Sequence, residues 1–229
     1  MIVTIHQPEH LPWLGFFQKM KHADCMVLLD NVDYRKNYFQ NRNRILTSNG
    51  ITYLTLPVLP RLSASKLIKD IRNSQDSRIM KKYLKTLYYA YYQHPHFKEH
   101  YKSIKRILER NSGYLAELNI AIIDYISHAL GINTTIIKAS DLHVTGNKSE
   151  LLLNICKETG ADIYLSGPSG KAYLDEALFR KNNISVLYHQ FNHPVYPQLH
   201  SKEFVPQLSS IDLLFNCGIA SRDYLNQKI

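Results

Sequence analysis

Five consecutive apolar residues, Cys25-Met26-Val27-Leu28-Leu29, constrain the fold more than any other stretch of this chain. A run of strand length without polar alternation has no face to offer to water. It belongs in a strand covered on both sides, the environment of a parallel sheet. A shorter apolar strand, Ile2 to Ile5, comes first and ends in the polar turn His6-Gln7-Pro8-Glu9-His10. Pro8 and Pro12 exclude both a regular strand and a helix interior there. From Trp13 to Ala23 the pattern becomes helical, with Leu14, Phe17 and Met20 on one face and Lys19 and Lys21 off it. Strand, polar loop, helix and buried strand make a βαβ start.

The same rhythm returns late in the chain. Asn133 to Ala139 reads as a strand, Ser149 to Thr159 as a helix capped by Gly160, Ala161 to Leu165 as a strand, Tyr173 to Asn182 as a helix and Ile184 to Tyr188 as a strand. Between these regions, Asn49-Gly50 sets a hairpin turn between Ile45 to Thr47 and Thr52 to Val58. Residues Asp76 to Gly131 are helical in pattern, with breaks at Asn111-Ser112-Gly113 and Gly131, and a final amphipathic helix spans Ser209 to Asn216. The expected architecture is one α/β domain over residues 1–229. Its sheet is mainly parallel and Rossmann-like, and residues 76–131 form a helical insertion.

The chain has 229 residues, within the size of one core. No apolar run reaches the ~18 residues needed to span a bilayer, and the N-terminus has no signal-peptide pattern, so the expectation is a cytoplasmic protein without a membrane span. Cys25, Cys156 and Cys217 lie far apart beside apolar neighbours, which reads as small core residues rather than a disulfide framework or a metal site. A net charge of +9 points to an anionic partner, nucleic acid included. Much of that excess sits on Lys81, Lys82, Lys85, Lys98, Lys102, Lys105 and Arg106, where a solvated helix face accounts for many of the charges. The cluster Tyr88-Tyr89-Ala90-Tyr91-Tyr92 reads first as helix-packing surface, with a stacking platform for nucleic acid as the alternative.

Four segments carry residues suited to chemistry. His6, at a strand end ahead of a helix, can contact phosphate or exchange a proton near neutral pH, with Gln7 beside it. Asp30 to Arg44 gathers Asp30, Gln40, Asn41, Arg42 and Arg44 after the second strand; arginine forks suit phosphate and carboxylate, and amides suit sugars or bases. Ser166-Gly167-Pro168-Ser169-Gly170-Lys171 offers backbone N–H groups and a lysine before a helix, the ingredients of a phosphate cradle, although its spacing is not that of a Walker A loop. His193, Tyr196 and Gln198 lie in a proline-stiffened loop after the last strand and read as substrate contacts.

Taken together, Ile5-His6-Gln7-Pro8 with Leu11-Pro12-Trp13-Leu14-Gly15, Gln40 to Arg44, Ser166 to Gly170, His193 to Gln198 and Ser210 to Asn216 resemble the WbqC-like protein family, over nearly the whole chain. The family usually has asparagine and tyrosine where this chain has Glu9 and His10. The resemblance implies bacterial surface-polysaccharide (O-antigen) biosynthesis and the transfer of glycine or another small acyl group onto a sugar. The order of loops is also similar to that of nucleotidyltransferase-like proteins, some of which form amides through an acyl-adenylate. On this reading the chain is a transferase or ligase that joins a small acid to a nucleotide-linked amino sugar. Candidate donors are ATP-derived acyl-adenylate, acyl-CoA or aminoacyl-tRNA. His6 and Lys171 would neutralise phosphates, Ser166, Gly167, Ser169 and Gly170 would cradle them, and Asp30 would serve as base. The alternative is a non-catalytic accessory protein that binds a sugar nucleotide or RNA.

Overall fold

The computed structural model describes residues 1–110 and 113–226; Asn111 and Ser112, from the expected helix break, lie outside the described residues. Five parallel strands form the central sheet: β1 (Ile2–His6), β2 (Cys25–Leu28), β5 (Thr135–Lys138), β6 (Ile163–Ser166) and β7 (Ser185–Tyr188), in the order β5-β2-β1-β6-β7. The run at residues 25–28 is buried throughout, as its lack of alternation requires. Strands β3 (Arg42–Thr47) and β4 (Gly50–Thr55) form a separate antiparallel hairpin outside that sheet.

Period-two alternation splits the core into one layer on each face of the sheet. Val3, Ile5, Cys25 and Val27 point to one side, where they meet α5 (Lys148–Glu158) and α6 (Glu176–Lys181) through Leu152, Ile155, Cys156 and Phe179. Met26 and Leu28 point to the other side. There they join α1 (Leu14–Lys21), the hairpin, and three helices, α2 (Ser77–Tyr91), α3 (Phe97–Glu109) and α4 (Leu115–Ala129), with α7 (Ser210–Cys217). The helices of residues 76–131 therefore bury their apolar stripes in the same layer as α1. All three cysteines are interior and unpaired. Gly160, just past α5, has φ +71°, a conformation glycine adopts without a Cβ clash.

The chain leaves β1 through α1 to β2 on one side and later returns through α5 to β6 on the other. The winding direction thus reverses between β1 and β6. In an open parallel sheet this reversal leaves a crevice beyond the carboxyl ends of the two strands, the usual place for a ligand. The strands that flank it end at His6 and Ser166. No helix among the described residues is long and apolar enough to cross a membrane.

Candidate functional site

The crevice brings the first and third sequence segments together. Leu29 N donates to His6 O at 2.8 Å and His189 N donates to Ser166 O at 2.8 Å, so the loops after β1, β2, β6 and β7 leave the sheet along one edge. Tyr173 has its phenol pKa raised by burial and, second, by the neighbouring Tyr38.

His6 sits in the crevice wall with 29% of its side chain exposed, edge-on to Phe16 of α1 at 4.9 Å. Its Nδ1 lies 3.1 Å from Gln7 O, a bond in which the nitrogen must donate. That leaves Nε2 as the basic nitrogen. Burial, and then the charge of Lys19, hold its pKa well below the usual imidazole range, so the ring is neutral at physiological pH.

Beneath it lies a group that periodicity assigned to solvent. Lys19, placed off the apolar face by its sequence position, is only 3% exposed. The reason is local: its stem runs along α1 under the His6 loop, and Nζ donates to Ile5 O at 3.2 Å. Glu9 is equally buried, with Oε1 3.9 Å from His6 Nδ1 and Oε2 without a hydrogen-bond partner. Burial raises the Glu9 pKa to about 8, against the pull of Lys19, and lowers the Lys19 pKa to about 7, against the pull of Glu9. His189 completes the group: its Nε2 meets Gln18 Oε1, and burial with the nearby Lys19 lowers its pKa to about 4. Here a carboxyl and an amine both exchange protons near neutrality beside a neutral imidazole, an arrangement suited to acid–base chemistry. Neither Glu9 nor Lys19 is singled out by the sequence, since a loop glutamate and a helix lysine are normally solvated.

The second segment behaves differently from its reading as a polar binding loop. Gln40 is fully buried; it donates to Gln7 Oε1 at 2.7 Å and accepts from Arg35 N at 2.7 Å. Asn41 bridges Tyr34 OH and Leu56 O at 3.0 and 2.9 Å. Arg42 lies over the Tyr53 ring at 4.4 Å and donates to Asn37 O, while Arg44 donates to Gln207 O at 2.9 Å beside α7. These polar groups are occupied in holding the loop. On its outer side Tyr34, Asn37 and Asn41 line a cavity of about 460 Å³. Asp30 accepts from Ser140 N at 2.8 Å and Ser140 Oγ at 2.7 Å, which ties the end of β2 to the end of β5. Each of its oxygens thus has a structural partner.

The third segment is a short 3-10 turn over Pro168–Ala172 rather than the start of a helix; α6 begins only at Glu176, where the Asp175 side chain already caps the Leu178 N–H at 3.1 Å. The expected cradle thus lacks the N-terminal dipole of a following helix. Ser169 and Lys171 are exposed, and Lys171 Nζ lies 5.3 Å from the ring centroid of Tyr188 at the end of β7. Gly170 is there for close packing: a Cβ would stand 2.1 Å from Ser166 Oγ.

The fourth segment joins α7 rather than the crevice. Tyr196 OH and Gln198 Nε2 each donate to Asp212 Oδ2 at 3.1 Å, and His193 Nδ1 bonds Pro194 O at 2.9 Å among Phe191, Tyr196 and Phe204. Burial raises the Asp212 pKa to about 6. Among the described residues no group of three or more His, Cys, Asp and Glu is placed to hold a metal ion.

The model of the WbqC-like protein family matches residues 7–224. The chain belongs to the WbqC-like family. A protein of Mycobacterium tuberculosis (strain ATCC 25618 / H37Rv), described as uncharacterized, is 33% identical over 227 residues, covering 97% of this chain and 96% of its own length. No solved structure matches. The segments that carried the resemblance fall into two groups: those at the ends of β1 and β6 (Gln7 and Ser166 to Gly170, with His6 just before the matched range) and those that brace the loops around them (Gln40 to Arg44, His193 to Gln198, Asp212).

Proposed function

We propose that this WbqC-like protein transfers a small acyl or aminoacyl group, glycine being the favoured case, to the amine of a nucleotide-linked amino sugar used in surface-polysaccharide assembly. The observation that supports the reading is that β1 and β6, which end at His6 and Ser166, are neighbours at the reversal point of the sheet, where Rossmann-like folds place a nucleotide. Lys171 is the phosphate contact, with Gln7, Gly167 and Ser169 as neutral donors around it. His6, expected to neutralise phosphate, is instead a neutral ring whose Nε2 can only accept, and it takes a hydrogen bond from a ligand N–H or O–H.

The Glu9 and Lys19 pair supplies what amide formation needs. The sugar amine attacks the acyl carbonyl, an N–C bond forms, and the bond from carbon to the donor oxygen or sulfur breaks. The attacking nitrogen must lose a proton and the leaving group must gain one. A buried amine and a buried carboxyl that titrate near pH 7–8 fit both tasks, one as base and the other as acid. The donor is an acyl-adenylate, an acyl-CoA or an aminoacyl-tRNA; Asp30 takes no part.

Thermal-shift titration with ATP, CoA and UDP- or dTDP-sugars tests the site. A ligand of the folded state stabilises it by RT ln(1 + [L]/Kd). At least one nucleotide should raise the melting temperature, and the rise should shrink in His6→Ala and Lys171→Ala. If both variants keep full affinity for every nucleotide that binds, the shared crevice is wrong.

A further inference from the structure

We propose that the exposed face of α2 docks single-stranded RNA, its tyrosines stacking unpaired bases and its lysines following the phosphates. Tyr91, inside the tyrosine cluster, is fully buried, but Tyr88, Tyr89 and Tyr92 are 40%, 59% and 45% exposed. Their rings form one surface: Tyr88 and Tyr92 stack at 5.5 Å with planes 9° apart, and Tyr89 stands edge-on to Tyr88 at 5.6 Å. Helical spacing continues the stripe towards the helix start through the exposed Lys85, Lys82 and Lys81. Lys85 Nζ lies 5.7 Å from the Tyr89 ring centroid. From Ser77 to Tyr91 the helix contains no acidic residue. Two carboxylates near its head are already paired: Asp76 with Arg78 at 3.1 Å, and Glu109 of α3, which lines a pocket with Ser77 and Lys81, with Lys105 at 2.8 Å.

Core packing explains only part of this stripe: α2 buries Tyr83, Leu84, Leu87, Ala90 and Tyr91 on its other side, and Tyr88 stands edge-on to Phe97 and Tyr101 of α3 at 5.5 and 5.6 Å, whereas Tyr89, Tyr92 and the lysines lie beyond that contact. Stacked aromatic rings continued by cations in a chain of net charge +9 match a polyanion that carries flat rings, and unpaired RNA is the partner with both features. A second copy of the chain fits less well. A two-fold interface sets the same patch against itself, which would bring the lysines of one copy against those of the other. An anionic membrane is disfavoured by the shortage of aliphatic groups.

The inference deepens the proposed function, on which it rests only for its meaning: a protein that grips RNA and transfers an aminoacyl group would take that group from a charged tRNA. The binding is testable without any activity. Fluorescence anisotropy of the full chain is measured with a labelled single-stranded RNA and with deacylated tRNA across a salt series. Lys81→Ala/Lys82→Ala/Lys85→Ala should reduce the slope of log affinity against log salt by about 2, since each neutralised phosphate adds roughly 0.7 for a single strand. Tyr88→Ser/Tyr89→Ser/Tyr92→Ser should weaken binding at least about tenfold and leave the slope unchanged, because stacking releases no counterions. The lysine variant changes exposed side chains only and should keep the wild-type melting temperature; because Tyr88 also packs on α3, Tyr89→Ser/Tyr92→Ser is the tyrosine variant that should keep it while still weakening binding. Absence of RNA binding, or full affinity in the tyrosine variant, would overturn the proposal. So would a dimer that the tyrosine changes split, or flotation with anionic vesicles that RNA does not compete away. Nucleotide-induced thermal shifts without RNA binding would sink this inference alone, and RNA binding without nucleotide shifts would sink the crevice reading alone.

Discussion

Two histidines four residues apart in one loop meet opposite fates. His10 is fully buried and saturated: Nδ1 donates to Asn119 Oδ1 at 2.9 Å and Nε2 accepts from Tyr83 OH at 2.7 Å. Asn119, on α4, also donates to Pro8 O at 2.9 Å and Gln40 O at 2.7 Å. One amide thus staples the loop after β1 to the loop before β3. His6, by contrast, keeps a ring nitrogen without a structural duty, and its neighbour Glu9 has a buried oxygen without a partner. Buried polar groups that are satisfied build a unique structure, whereas buried groups left short of partners are costly and are kept where chemistry needs them.

The stapled half should be the sensitive one for stability. Asn119→Ala deprives His10 and two buried carbonyls of their partners, and each lost partner costs about 1–3 kcal/mol. We expect a loss of about 3–5 kcal/mol in denaturant unfolding. A loss under ~1 kcal/mol would mean that water takes over these bonds and that the contrast with His6 is false.

The half around Glu9 and Lys19 should reveal itself through pH. Glu9 has its folded pKa raised to about 8, so between the ordinary carboxylate range and pH 8 the folded state binds the extra proton, and stability falls as pH rises. Lys19 has its folded pKa lowered to about 7, so above pH 7 the unfolded state binds the extra proton, and stability rises up to the ordinary lysine range. Together they give a shallow minimum near pH 7–8, with limbs no steeper than about 1.4 kcal/mol per pH unit for each group. Glu9→Gln should remove the falling limb and Lys19→Met the rising one. Difference profiles from urea unfolding at several pH values read this directly; identical profiles in all three proteins would show that neither group is perturbed.

The legible and illegible parts of this chain divide along the same physical line. The sheet was legible because burial on both faces leaves an unmistakable apolar run at Cys25–Leu28, and because Gly160 and Asn49-Gly50 mark real turns. The meeting of His6 and Ser166 followed from parallel topology alone. Lys19 was not legible, since a lysine on a helix is normally solvated and only the loop folded over α1 makes it interior. Gln40, Asn41 and Asp30 look like ligand contacts for a related reason: amides and carboxylates that hold loops have the same composition as those that hold substrates, and only their partners tell them apart.

Gly170→Ala probes the packing beneath the crevice. The new Cβ would meet Ser166 Oγ at 2.1 Å and Leu174 Cδ1 at 2.9 Å, so Ser166 must turn away from its bond to Gly167 O. A loss of about 1–3 kcal/mol in thermal or chemical unfolding is expected. The variant should also bind nucleotide more weakly, because the turn that carries Lys171 shifts with it.

The smallest effect is the most discriminating. Lys171 is exposed, forms no ion pair among the described residues, and makes one cation–π approach to Tyr188 at 5.3 Å. Such a contact at an exposed site contributes about 0.5–1 kcal/mol at most. Tyr188 OH is held independently by its bond to Glu176 Oε1 at 2.7 Å, so its ring does not depend on the lysine for position. Lys171→Ala should therefore change the unfolding free energy by no more than about 0.5 kcal/mol. On the proposed function its nucleotide-induced thermal shift should nonetheless fall, because an exposed charge beside a bound nucleotide acts on the ligand rather than on the fold. Adding salt should then weaken nucleotide binding in the wild type more than in Lys171→Ala, since the variant has lost one of the charges that salt screens. A variant that loses stability but keeps its nucleotide shift and its salt dependence would place Lys171 with His10 and Asn119, among the groups that hold the fold.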